Sequence, residues 1–142
     1  MSALSRLLRA FWRNDGGGAM LEAPLILPVF LLAMFGTMEF GRAVFAYNFC
    51  SYAARLGARY ASVHGLQSGR QLTNSTLTTL VDGWAVGLTA ADITTALTWS
   101  PDAKPGSTVT VQVNYTYRPM FASYIMHGPV NLSSTSKSAI FQ

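Results

Sequence analysis

Apolar and polar positions divide the chain into four stretches with different periods. Residues 1–15 alternate irregularly, with Leu4, Leu7, Leu8, Phe11 and Trp12 set among Arg6, Arg9 and Arg13. From Ala23 to Met38 there is no charge at all. A helical period follows, in which Phe45, Phe49, Tyr52, Leu56, Tyr60 and Val63 recur every three or four residues. Cys50, Ala54, Gly57 and Ala61 repeat at the same spacing on the other side. Beyond residue 64 the period changes. Thr108 to Tyr117 alternates almost perfectly, with Val109, Val111, Val113, Tyr115 and Tyr117 on one side, as a half-buried antiparallel strand does.

These periods predict one long helix from residue 18 to about residue 64. Its membrane span covers about residues 23–41, and its continuation lies outside the membrane. The helix would be roughly 65–70 Å long, more than a bilayer needs. Glu22 and Glu39 bracket the apolar run at a separation of roughly 26 Å of helix, so each falls near an interface of a hydrocarbon core about 30 Å thick. Arg42, one turn after Glu39, is its expected ion-pair partner. Pro24 suits a first turn, whereas Pro28 is expected to bend or loosen the helix. The bulky stripe suits burial against a sheet. The small stripe of Cys50, Ala54, Gly57 and Ala61 suits close approach by another helix. Gly65 is the expected left-handed cap.

The remainder, residues 65–142, reads as a small head. Gln71 to Leu88 is an amphipathic helix with Thr73, Asn74 or Ser75 as cap, and Leu77, Leu80, Val81, Trp84 and Leu88 form its apolar face. Strands are expected at residues 93–99, 108–117 and 130–141, with a turn-rich connection from Ser100 to Gly106. Residues 120–127 form an apolar loop expected to pack internally. The fold class is therefore α+β: a long N-terminal helix packed on a three-strand antiparallel sheet with one additional short helix. The valine–tyrosine strand face is expected to meet the bulky helix stripe.

Composition supports the membrane reading. The 142 residues are 50% hydrophobic and only 11% charged, against about 25% charged in ordinary soluble domains. The net charge of +4 sits on the leader and the helix rather than on the head, which argues against a nucleic-acid face. The basic leader argues for a cytoplasmic N-terminus. The apolar run continues without an Ala-x-Ala-like break, which separates it from an ordinary cleaved signal peptide.

Candidate chemistry is sparse. The lone Cys50 has no internal disulfide partner. His64 and His127 have no metal-ligand spacing with each other or with Cys50. Asp82, Asp92 and Asp102 stand in polar or turn contexts suited to solvation or capping. Gly16-Gly17-Gly18 lacks the Gly-Lys-Ser/Thr of a phosphate loop. The expectation is no catalytic residue, cofactor, metal or small-molecule substrate, and hence no enzyme.

Three separated blocks, in order, carry a resemblance: Gly18-Ala19-Met20-Leu21-Glu22-Ala23-Pro24-Leu25-Ile26-Leu27-Pro28, Met38-Glu39-Phe40-Gly41-Arg42-Ala43 and Ala53-Ala54-Arg55-Leu56-Gly57-Ala58-Arg59-Tyr60-Ala61. A basic leader ending in glycine, a Glu soon after it, and a long apolar helix resemble the type IV pilin superfamily. The details resemble its TadE-like branch, of the Tad (Flp) pilus systems. Ala23-Pro24 departs from the aromatic or aliphatic pair usual after the Glu. The resemblance implies a minor pilin or pseudopilin of the bacterial inner membrane with a periplasmic head. It implies cleavage of a 1–17 leader by a prepilin peptidase in the Gly17/Gly18 region. Counting Glu22 as the fifth mature residue puts the cut between Gly17 and Gly18; a cut after Gly18 would make it the fourth. Implied partners are the peptidase, other Tad pilins or pseudopilins, inner-membrane assembly proteins and the lipid bilayer. Glu22, Glu39, Arg42, Cys50, Ala54, Gly57 and Ala61 are the expected packing and assembly residues. The alternative is an unprocessed single-pass scaffold protein of the pilus assembly machinery.

Overall fold

The computed structural model describes residues 18–121 and 128–141, with the backbone alone for residues 18–23 and 25. The leader with Gly17, most of the apolar 120–127 segment and His127 lie outside the described residues. Helix α1 is Gly18–Ser62. The chain divides into two units, Met1–Met38 and Glu39–Gln142.

From Ile26 to Met38 α1 exposes apolar side chains along its length. Ile26, Leu27, Val29, Phe30, Leu32, Met34 and Met38 are all exposed. α1 is long and apolar enough to cross a membrane, the candidate stretch starting at Ile26. Pro24 and Pro28 lie inside the helix without ending it. The Thr37 hydroxyl donates to the Ala33 carbonyl at 2.8 Å, so the polar group of this stretch is satisfied within the helix.

The second unit holds the rest of α1, a second helix and one sheet. Helix α2 (Asn74–Trp84) starts at Thr73, whose side chain accepts from the Thr76 N–H at 3.3 Å. It is shorter at both ends than the apolar pattern suggested. Leu77 and Val81 are fully buried, while Leu80, Trp84 and Leu88 pack at the margin of the core. Strands β1 (Ile93–Ser100), β2 (Thr108–Tyr117) and β3 (Val130–Ala139) form an antiparallel sheet in the order β1-β2-β3. The register pairs Ile93 with Tyr115 and Ser100 with Thr108, and Thr108 with Ala139 and Tyr117 with Val130. Asp92 and Arg118 form an ion pair at 2.9 Å just outside the paired ends of β1 and β2.

The sheet's inner face is the expected one: Val109, Val111, Val113, Tyr115 and Tyr117 are all buried. The helix face against it is not. Ala46, Cys50, Ala53, Ala54 and Ala61 of α1 are fully buried in the same core as those valines. Phe45, Tyr52, Tyr60 and Val63 of the bulky stripe are exposed, and only Phe49 among its aromatics is buried. The expected assignment of the two faces is therefore reversed. The reason is volume. A strand that projects Val, Val, Val, Tyr and Tyr already fills the layer between sheet and helix. Only a helix face of Ala, Gly and Cys can then approach without voids or overlap.

The end of α1 also differs from expectation. Gly65 is extended, with φ −78° and ψ −168°, and is not a left-handed cap. The carbonyls of the last turn find other donors. Ser62 Oγ donates to Arg59 O at 2.8 Å, His64 N to Ala61 O at 3.0 Å, and Phe141 N to Ser62 O at 2.9 Å. The bond from Phe141 makes the segment after β3 part of the helix terminus.

Candidate functional site

The second unit begins with its most connected side chain. Glu39 is 8% exposed although it is a carboxylate on a helix. Its Oε1 accepts from the Tyr117 hydroxyl, and its Oε2 accepts from the backbone N–H groups of Met120 at 3.1 Å and Phe121 at 3.0 Å. The Tyr117 hydroxyl also lies 3.2 Å from the Glu39 carbonyl oxygen. Arg42 Nη1 sits 3.6 Å from Oε1, the pairing expected from the sequence, and its guanidinium carbon lies 5.8 Å from the Tyr117 ring centroid.

Local sequence explains the arrangement. Tyr117 is the last inward residue of β2, so its ring joins the core while its hydroxyl needs a polar partner. Arg118-Pro119 ends the strand, and the next two N–H groups turn toward the helix carboxylate. Two oxygens thus receive three hydrogen bonds and one cation, the kind of satisfaction a buried carboxylate requires. Burial, followed by the hydrogen bond to Glu39, pushes Tyr117 up to about 12. A saturated, buried carboxylate of this kind is a clasp. It holds the end of β2 to α1.

The other sequence-selected residues fall in different places. Cys50, Ala54, Gly57 and Ala61 are gathered under the sheet, buried by the protein's own strands. A Cβ on Gly57 would lie 3.1 Å from Leu77 Cδ1 and 3.2 Å from Val111 Cγ1, so glycine here sets the closest approach of α1 to α2 and β2. The Cys50 thiol is fully buried and points to the Leu132 carbonyl at 3.9 Å. Asp102 accepts from Ser107 Oγ at 2.5 Å and from Lys104 N at 3.1 Å, and these bonds hold its carboxyl below the usual range. Among the described residues no group of three His, Cys, Asp or Glu side chains could hold a metal ion. Glu22 lies in α1, and Gly17 lies outside the described residues.

Sequence reasoning found Glu39 and Arg42 but missed Tyr117 and the amides of residues 120 and 121. The available signal was a Tyr at the inward end of an alternating strand beside a carboxylate just past an apolar run. Nothing in their separation of 78 residues says that they meet.

No curated protein and no solved structure matches the chain. The family model described as TadE-like protein matches residues 17–59, the span on which the sequence resemblance rests. The match takes in Glu22, Glu39, Arg42, Cys50, Ala54 and Gly57, and ends before Ala61 and the sheet. Over residues 17–59 the chain is thus similar to the TadE-like family, which suggests involvement in the Tad pilus system.

Proposed function

We propose that the protein is a minor pilin or pseudopilin that takes part in assembling a Tad pilus or in the associated secretion. In this reading residues 23–41 anchor it in the inner membrane, the N-terminus is cytoplasmic and residues 65–142 are a periplasmic head. A prepilin peptidase removes the leader in the Gly17/Gly18 region. The family match at residues 17–59 carries the reading. The exposed apolar surface of α1 from Ile26 to Met38 supports it, because such a surface is stable only in lipid or against other apolar helices.

Cleavage between Gly17 and Gly18 creates an amine about one helical turn from Glu22. In apolar surroundings an amine and a carboxylate neutralise each other's cost, and an unpaired Glu22 stays unfavourable until an amine arrives. Supplied by a neighbouring subunit, that amine sets one axial stagger. Glu22→Ala should therefore leave membrane insertion intact and impair assembly; normal piliation in that variant would overturn the proposal. The partners are the peptidase, other Tad pilins or pseudopilins and the inner-membrane assembly proteins. An unprocessed scaffold would use the same span and head and would differ by retaining residues 1–17.

A further inference from the structure

The reversal of the two α1 faces leaves a distinct surface on the second unit. At 3.6 residues per turn, Phe45, Asn48, Tyr52, Arg55 and Arg59 lie on the side of α1 opposite the buried Ala46, Ala53 and Gly57, and Val63 follows directly after the helix end at Ser62. Phe45 is 54%, Tyr52 58% and Val63 43% exposed. Arg55 and Arg59 are exposed one turn apart, and neither has an ion-pair partner among the described residues. The strip runs about 27 Å from Phe45 to Val63, the length of a helix rather than of a point ligand.

The charges say what can cover it. Of the second unit's carboxylates, Glu39 is held in the clasp, Asp92 pairs with Arg118 and Asp102 with Lys104, while the buried Oδ1 of Asp82 has no hydrogen-bond partner among the described residues. No two of these acids lie three or four residues apart, so the second unit of another copy offers no matched pair to Arg55 and Arg59. We propose that this strip is the docking surface for an amphipathic helix of a different protein, one that carries carboxylates three or four residues apart beside an apolar face. Phe45, Tyr52 and Val63 would pack on the apolar face while the two guanidiniums take the acids. The inference deepens the assembly reading by naming a surface and the chemistry of the partner. It does not depend on cleavage.

The test is photo-crosslinking of the full-length gene product in its native host, with a benzophenone amino acid replacing Tyr52. The crosslinked peptide is identified by mass spectrometry. The expected adduct is a helical segment of another protein with Asp or Glu at i and i+3 or i+4. Arg55→Glu with Arg59→Glu should reduce the adduct about tenfold, as expected for loss of two solvent-exposed ion pairs. Changing the captured carboxylates to lysine should restore it. An adduct with a second copy, with lipid or with a nucleic acid, no adduct at all, or no rescue by the charge swap would overturn the proposal. The intact mass of the same sample reads leader removal independently. A full-length mass with the acidic-helix adduct would sink the processed-pilin reading and leave this one standing.

Discussion

Replacing Gly57 by alanine tests how closely α1 approaches the sheet. Two effects compete. Removing glycine from a helix interior gains about 1 kcal/mol through backbone entropy. Against that, the new methyl would stand 3.1 Å from Leu77 Cδ1 and 3.2 Å from Val111 Cγ1. Carbon atoms pack comfortably at about 3.5–4.0 Å, so the overlap is several tenths of an ångström at each contact. Leu77 can yield a little at its flexible end. Val111 cannot: it is fully buried on the central strand, paired to Leu97 and Ser136, and β-branched side chains are stiff at χ1. Overpacking of this kind costs about 1–3 kcal/mol, so the net change runs from near zero to about 2 kcal/mol of destabilisation. Gly41 is the control, because it lies in the same helix and a Cβ there meets nothing within 4 Å. Gly41→Ala should stabilise by up to about 1 kcal/mol. Denaturant unfolding of both variants in detergent micelles, followed by circular dichroism, gives the comparison. If Gly57→Ala stabilises as much as Gly41→Ala, the close approach is refuted.

The reversed faces predict that Ala54→Leu destabilises by about 1–3 kcal/mol, while Tyr52→Ala, at a 58% exposed position, stays within about 0.5 kcal/mol in the same unfolding assay. Tyr117→Phe removes one hydrogen bond to a buried carboxylate that keeps its two amide donors and Arg42, and should cost about 1–3 kcal/mol in that assay. Tyr117 ionises at about 12 in the folded protein, above its ordinary 10, so its contribution is fully present below about pH 10 and is lost as pH rises through about 12. Phenolate absorbance should show Tyr117 titrating late, and Glu39→Gln should bring that titration down. Cys50, fully buried, should resist a thiol reagent until the protein unfolds, with labelling measured by mass.

Period and turn chemistry made the elements legible: β2 was readable to the residue from its alternation, and Thr73, one of three candidate caps, stands at the start of α2. Packing partners were harder to read. Large apolar side chains suggested burial, yet Tyr52 and Phe45 face outward. Ala54 and Cys50 are buried because β2 already supplies the volume of that layer. The ion pair of Glu39 with Arg42 was visible because it is local to one helical turn. The other half of the clasp was not, since Tyr117 and the amides of Met120 and Phe121 arrive from the far end of the sheet. The end of α1 shows the same limit: Gly65 has the composition of a cap, but the terminal carbonyl of Ser62 is taken by Phe141, 79 positions later in the chain (141 − 62 = 79). Local rules identify which groups need partners, and tertiary structure decides which partners they get.

Processing of this chain as a pilin can be read from the intact mass of the protein recovered from its native host. The expected mass lacks residues 1–17 and has a new N-terminus at Gly18, which puts Glu22 at the fifth position of the mature chain. A protein that retains all 142 residues contradicts it and makes the molecule an uncleaved membrane anchor.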